Sequence, residues 1–341
     1  MNKIAICAAI QEKRPKLASS SVKTYATILY SNYRKIFPED KHIDMSKFND
    51  AKVFLEFLKE KPSATRKTIL AALYVLTENK AYHELMVEDA SKYDDLQKQQ
   101  VMTEKQKANW MSMAEIGAVI DRYRSQAAYL SAEAKIRPLE NKEFSIWQDY
   151  IILCLCAGKY FPPRRAKDWT DFKLKNVGES DNYLEVKNSS WFFVFQSYKT
   201  AKNYGIQRIA CPKDLKAILQ PFIKYASERS EFLLNDCKWK GIVQIQLTQR
   251  LNRIFGKNIS VSMLRHIYLT DRYQNGHTSL AELSTTAKEM AHSVEQALEY
   301  VKLKSAPSAD EEDVIPKPTA DVEPDSPKPA KKRGRPRKVA A

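Results

Sequence analysis

Three residues near the carboxyl-terminal end have the types needed for chemistry on a phosphodiester: Arg265, His292 and Tyr300, all within residues 260–304. A tyrosine hydroxyl, with an ordinary pKa of about 10, is a weak nucleophile by itself. It becomes useful when fixed cations stabilise charge developing on a phosphate and a neighbouring group handles the protons. Arginine suits the first task, because its planar fork matches two phosphate oxygens and stays charged. Two upstream pieces carry related chemistry. Pro162-Pro163-Arg164-Arg165 opens a predicted helix with Asp168 one turn on. Cations there can join backbone N–H groups in holding a phosphate; a surface pair between Arg165 and Asp168 is the alternative reading. Lys199, in Tyr198-Lys199-Thr200, stands at a strand end from which it can reach outward, although a solvated turn lysine is the plainer reading.

These residues must be positioned by a chain of 341 residues, long enough for two domains and a tail. Hydrophobic residues make up 43% and aromatics 10%, which supports a packed core. The formal charge of +15 and the pI of about 9.4 make a polyanion the leading partner. Nucleic acid stands ahead of membrane, since no apolar run approaches the roughly 20 residues of a bilayer span. The amino terminus lacks the flanks of a secretory signal. Five cysteines are scattered, and Cys154 and Cys156 lie in an apolar run, so they read as core thiols rather than metal ligands. An intracellular, reducing compartment is expected.

The first hundred residues read as helices. Ser19-Ser20-Ser21 offers caps for a helix with Val22, Tyr25, Ile28, Leu29, Tyr33 and Ile36 at helical spacing, ended by Pro38. A second helix is predicted over residues 49–61, and Ser63 is expected to cap a third. Arg66 and Lys67 sit early in that third helix, against its dipole, which points to an outside role such as contact with DNA backbone. A polar stretch at 94–107 reads as a linker or an extended helix, residues 135–142 as a loop, and 144–157 as a buried helix. The convincing strands follow: 183–187 and 190–198 around the turn Asn188-Ser189, then 206–211. Helices resume from Leu215, with a break at 256–260. The expected fold is mainly α with a small antiparallel β-sheet.

From Ala306 the composition changes. The last segment holds seven of the fifteen prolines and the acidic block Asp310-Glu311-Glu312-Asp313, a composition expected to stay disordered. It ends in Lys331-Lys332-Arg333-Gly334-Arg335-Pro336-Arg337-Lys338, which resembles the AT-hook. Arg333, Arg335 and Arg337 on an extended backbone suit a narrow A·T minor groove, and a nuclear-import signal is a compatible reading.

Taken in order, Arg165, Lys199, Arg265, His292 and Tyr300 resemble the constellation of the tyrosine recombinase (phage integrase) family, over nearly all of the first 304 residues. Pro-Pro-Arg-Arg with a following acid is similar to the first arginine box, and Tyr-Lys-Thr to the β-hairpin lysine. Leu264-Arg265-His266 is similar to the second arginine box, and His292-Ser293 followed by Tyr300 to the last histidine and nucleophile. Two departures stand out. Ser262 occupies a position where the family usually has His or Lys, and His292 and Tyr300 are eight apart rather than nine. The wording of the first two boxes resembles versions in large DNA viruses, virophages and related mobile elements.

The resemblance implies a helical core-binding (SAM-like) domain at 1–103, a catalytic domain at 104–304 and a disordered tail at 305–341. It implies a site-specific recombinase or integrase: Tyr300 attacks the scissile phosphate to give a 3′-phosphotyrosine, Arg165 and Arg265 clamp it, His292 and Ser262 hydrogen-bond it, and Lys199 protonates the leaving 5′-oxygen. Arg165 is preferred over Arg164 because Asp168 stands three residues on. Arg164, Arg66, Lys67, Lys202 and His266, with the three tail arginines, are the expected DNA contacts. No cofactor or metal is called for. The implied partners are double-stranded DNA and a homotetramer assembled on it, with residues 301–305 reaching a neighbour. Host nucleus or viral replication site is the implied location. A DNA-binding protein that kept the fold and lost catalysis is the alternative, favoured by Ser262; a type IB topoisomerase fits the size and helical clamp less well.

Overall fold

Apolar residues at helical spacing fold the first hundred residues into a helical cluster. In the computed structural model, which describes residues 3–274 and 279–302, its elements are α1 (Lys3–Lys13), α2 (Ser19–Ile36), a 3-10 turn (Met45–Asn49), α3 (Ala51–Leu58), α4 (Ser63–Thr77) and α5 (Lys80–Lys98). The expected caps at Ser19 to Ser21 are helical residues of α2, and Ala18 takes the cap position. The helix predicted to start at residue 49 begins at Ala51, because Asp50 caps it by accepting from the Val53 N–H at 3.3 Å. Ser63 is likewise the first helical residue. Pro62 precedes it at the cap position, where a missing N–H leaves no helical bond unmade. Leu29, Tyr33, Phe48, Phe54, Leu70, Leu73 and Tyr82 are among the buried side chains of this cluster.

The polar stretch at 94–107 divides. α5 runs on to Lys98, and Thr103 starts α6 (Glu104–Asn109) through a reciprocal capping box with Gln106. Next come α7 (Met113–Glu133) and α8 (Asn141–Cys156), which pack along each other. α8 is apolar on nearly all sides and fills the centre of a second, separate core drawn from residues 111–291. Cys154 and Cys156 are fully buried, and burial pushes both thiols up to about 12, so they are inert packing groups. Gly158 ends this helix at φ +85°, and a Cβ there would lie 2.4 Å from the Tyr268 ring. Only glycine permits that approach.

The helix expected after Arg165 is a single turn, α9 (Ala166–Trp169), with Arg165 at its cap position. The sheet is antiparallel in the order β1 (Tyr183–Lys187), β2 (Ser190–Phe195), β3 (Gln207–Ala210). Leu184 pairs with Phe193, and Phe193 with Ile209. Asn188 and Ser189 both take positive φ, as a two-residue hairpin turn that follows strand twist requires. β2 stops at Phe195 rather than Tyr198, because Gln196 and Ser197 give their N–H groups to the Asn182 side chain at 2.8 Å. The turn beyond contains a short helix, α10 (Ala201–Tyr204). Phe193 and Phe195 stand edge-on to Trp169, at 5.2 and 5.3 Å between centroids. That aromatic contact fixes the sheet against α9.

The remaining helices are α11 (Lys213–Ser227), α12 (Gln244–Phe255), α13 (Val261–Gln274), α14 (Leu280–Glu289) and α15 (Val294–Tyr300). The last three share a small core of Tyr268, Leu269, Ala287, Met290, Ala297 and Val301. No helix among the described residues is long and apolar enough to cross a membrane. The tail motif, with Arg333, Arg335 and Arg337, lies outside the described residues.

Candidate active site

A helix ends with carbonyls that have no helical partner and carry partial negative charge, so its last turn attracts cations. The end of α14 shows this three times over. Arg164 Nη1 donates to Glu289 O, Arg265 Nη1 approaches Met290 O at 3.5 Å, and Arg165 Nη1 donates to Ala291 O at 3.0 Å. Three arginines from two distant stretches thus meet three successive carbonyls. Ala291 makes the geometry possible by taking φ +57°, a left-handed value that turns its carbonyl out of the helix and starts the chain toward His292. Thr200 Oγ1 donates to the same Ala291 carbonyl at 2.9 Å. This contact brings the turn that carries Lys199 against His292.

Arg265 comes from the buried face of α13 and is itself fully buried. Its Nη1 donates to Pro163 O at 2.9 Å, so the two arginine boxes are joined through backbone. Its Nε and Nη2 have no hydrogen-bond partner among the described residues, and neither does the buried Nε2 of His292. All three atoms belong to side chains against Tyr300. The Arg265 guanidinium lies 4.8 Å from the Tyr300 ring centroid, and the His292 and His266 rings lie at 5.7 and 4.7 Å.

His292 Nδ1 donates to Ser293 O at 3.1 Å and His266 Nδ1 to Tyr300 O at 2.8 Å, since a carbonyl can only accept. Both rings therefore carry a proton on Nδ1. Burial, helped by Arg265, drops the His292 pKa to about 4. Burial likewise drops His266 to about 4. An anion arriving beside His292 would reverse part of that drop.

The structure brings Arg165, Arg265, His292 and Tyr300 together, with Lys199 exposed on the adjoining turn and free of hydrogen bonds and ion pairs among the described residues. Ser262 is exposed in the first turn of α13, one turn before Arg265. Other expected contacts have different occupations. Arg164 is fully buried, and its Nε pairs with Asp168 at 2.9 Å, so it cannot touch a DNA backbone, and the surface pair of Arg165 with Asp168 does not form. Arg66 grips the buried Asp89 through two bonds of 2.7 and 2.6 Å, which answers why a cation sits early in α4: it ties that helix to α5. Lys67 lies 3.6 Å over the Tyr93 ring. His266 supports the end of α15 instead of facing outward. Lys202 is exposed on α10. Val301 and Lys302 pack on their own chain, where Lys302 N donates to Thr270 Oγ1 at 2.9 Å.

Sequence reasoning missed Thr200, Ala291, Gln207 and Asn182. The Asn182 amide donates to Asp168 O and Ser197 O at 3.1 and 3.0 Å, joining the first arginine box to the strand end before Lys199. Nothing local marked it, because its partners lie 14 and 15 residues away.

No protein-family model matches the sequence, and no curated protein matches it. Solved structures do resemble it. The XerH site-specific recombinase, in a pre-cleavage complex with its difH substrate, is similar over 88% of this chain and 82% of its own, at 14% identity and a TM-score of 0.50. A post-cleavage XerH complex with palindromic difH gives 15% identity, coverage of 88% and 80%, and a TM-score of 0.48. The XerA recombinase gives 11% identity, 89% and 94% coverage, and a TM-score of 0.39. The likeness to XerH is one of fold: a mainly helical chain with a small three-stranded antiparallel sheet.

Proposed function

We propose that the chain is a site-specific DNA recombinase of the tyrosine type. The observation that carries this reading is the set of buried polar atoms around Tyr300 without partners among the described residues: Arg265 Nε and Nη2 and His292 Nε2. Buried polar groups are normally satisfied, because each one left unpaired costs about 1–3 kcal/mol. A cluster of them beneath a half-buried tyrosine fits a site shaped for an anion.

A DNA phosphate entering there receives Arg265 and Arg165 on its non-bridging oxygens, and Ser262 adds a hydroxyl donor. The Tyr300 oxygen attacks phosphorus as its proton passes to the unprotonated His292 Nε2, the bond to the 5′-oxygen breaks, and Lys199 protonates that leaving oxygen. The product is a 3′-phosphotyrosine and a free 5′-hydroxyl. The phosphate charge raises the His292 pKa, which turns its Nε2 from an acceptor into a donor as charge builds in the transition state. Attack by a second 5′-hydroxyl reverses the step and rejoins strands without an energy source. Double-stranded DNA is the substrate, bound largely through phosphates and therefore weakened steeply by salt. Four copies on DNA, an A·T-groove contact by Arg333, Arg335 and Arg337, and origin in a mobile element complete the proposal.

The test is a nicked suicide duplex made from DNA flanking the coding region, incubated with the protein and resolved on a denaturing protein gel. A covalent protein–DNA band that Tyr300→Phe abolishes is expected. Tight binding with no adduct on any such duplex would favour a DNA-binding protein without catalysis.

A further inference from the structure

Arg164 and Asp168 are among the most deeply buried charges of the fold, yet neither reaches the expected phosphate position. Both are fully buried, and the arginine lies 3.9 Å from the Phe195 ring centroid. Burial pushes the Asp168 carboxyl up and the Arg164 guanidinium down, and their ion pair opposes both shifts. As a stability device the pair is poor. Asp168 Oδ1 and Arg164 Nη2 lack partners among the described residues, and an apolar pair would fill an aromatic core at less cost.

What the pair does is mechanical. Arg164 Nη1 bonds Glu289 O and Gln207 Oε1, the latter at 2.7 Å, while Gln207 Nε2 donates to Lys288 O at 3.0 Å. The network therefore links α9, β3 and the last two carbonyls of α14. The next two carbonyls are those that meet Arg265 and Arg165.

We propose that Arg164, Asp168 and Gln207 are positioning residues that hold the end of α14 in register, so that Arg165, His292 and the Lys199 turn converge on one phosphate. This rests on the recombinase reading above. It makes Arg164 a residue for strand cleavage and not for DNA affinity.

The test is the double variant Arg164→Met with Asp168→Leu, which removes both charges and keeps the volume apolar. Its melting temperature and duplex affinity should match wild type, while adduct formation should slow roughly tenfold or more, as expected when reacting groups shift by about an ångström. A second readout needs no catalysis. The His292 imidazole followed by NMR in the free protein should titrate nearer its ordinary value in Gln207→Met, which keeps both charges, so that the change reports geometry and not the loss of the Arg164 charge, which itself holds His292 down. If wild type forms no adduct, the functional reading fails, and the His292 titration alone then decides the strut. Cleavage by the double variant at the wild-type rate, or an unchanged His292 titration in Gln207→Met, overturns the proposal. Should the double variant not fold, Gln207→Met keeps the ion pair and deletes the two glutamine bonds; several-fold slower cleavage supports the strut, and full activity overturns it.

Discussion

Arg66 in the amino-terminal helices and Arg265 beside Tyr300 are treated in opposite ways. Arg66 spends its fork on Asp89, and the pair closes α4 onto α5. Asp149 on α8 behaves similarly: burial pushes its carboxyl up, against the pull of Arg250 and Arg253, which bond it at 3.0 and 2.6 Å. Arg265 is more deeply buried than Arg66 but faces backbone carbonyls, with two of its donor atoms unpartnered among the described residues. Charges that serve folding come with carboxylates. The charge proposed to serve a ligand comes with donors left open, and the fold bears the cost.

This contrast breaks most visibly at Arg265. Arg265→Met should cut adduct formation on the order of a hundred- to a thousandfold while leaving the melting temperature equal or higher, checked by suicide-substrate kinetics beside calorimetry. A large loss of stability would place Arg265 with the folding charges. Asp89→Ala should do the reverse: stability falls by about 1–3 kcal/mol, since a partly exposed guanidinium loses its charged hydrogen-bond partner, and denaturant titration reads it. The intrinsic cleavage rate of the fraction that stays folded should hold.

The two buried histidines sharpen the comparison through pH. Both are held near 4 in the folded protein, against about 6.5 when unfolded. The unfolded chain therefore binds more protons between those values, so stability is lost as pH falls through that window and levels off below about 4. From pH 7 to pH 5 each histidine should contribute a loss of about 2 kcal/mol, measured by denaturant midpoints, and His292→Asn should remove its share. The smallest effect is expected far from the site. Ser189→Gly relieves a positive φ in the hairpin turn and should raise stability by about 0.5–1 kcal/mol with cleavage unchanged.

Much of the fold was legible because its signals are local. Helical spacing gave α2 and α8, and the strand residues around Asn188-Ser189 gave the hairpin. Boundaries shifted where a single side chain decided them, as Asp50 did for α3 and Asn182 did for the end of β2. At the site, residue types marked Arg265, His292 and Tyr300. The roles of neighbouring arginines were less legible, because sequence adjacency does not say which way each side chain points from an extended backbone. Asp168 pairs with Arg164, four residues away, and leaves Arg165 to the Ala291 carbonyl. The meeting of three arginines at the end of α14 depends on contacts across 25 to 126 residues, beyond the reach of any local pattern.

The most direct measurement is to digest the covalent protein–DNA product and locate the nucleotide by mass spectrometry. The account predicts a nucleotide 3′-phosphate on the peptide containing Tyr300, with none in Tyr300→Phe. Attachment at any other residue, or an undiminished adduct in Tyr300→Phe, would contradict it.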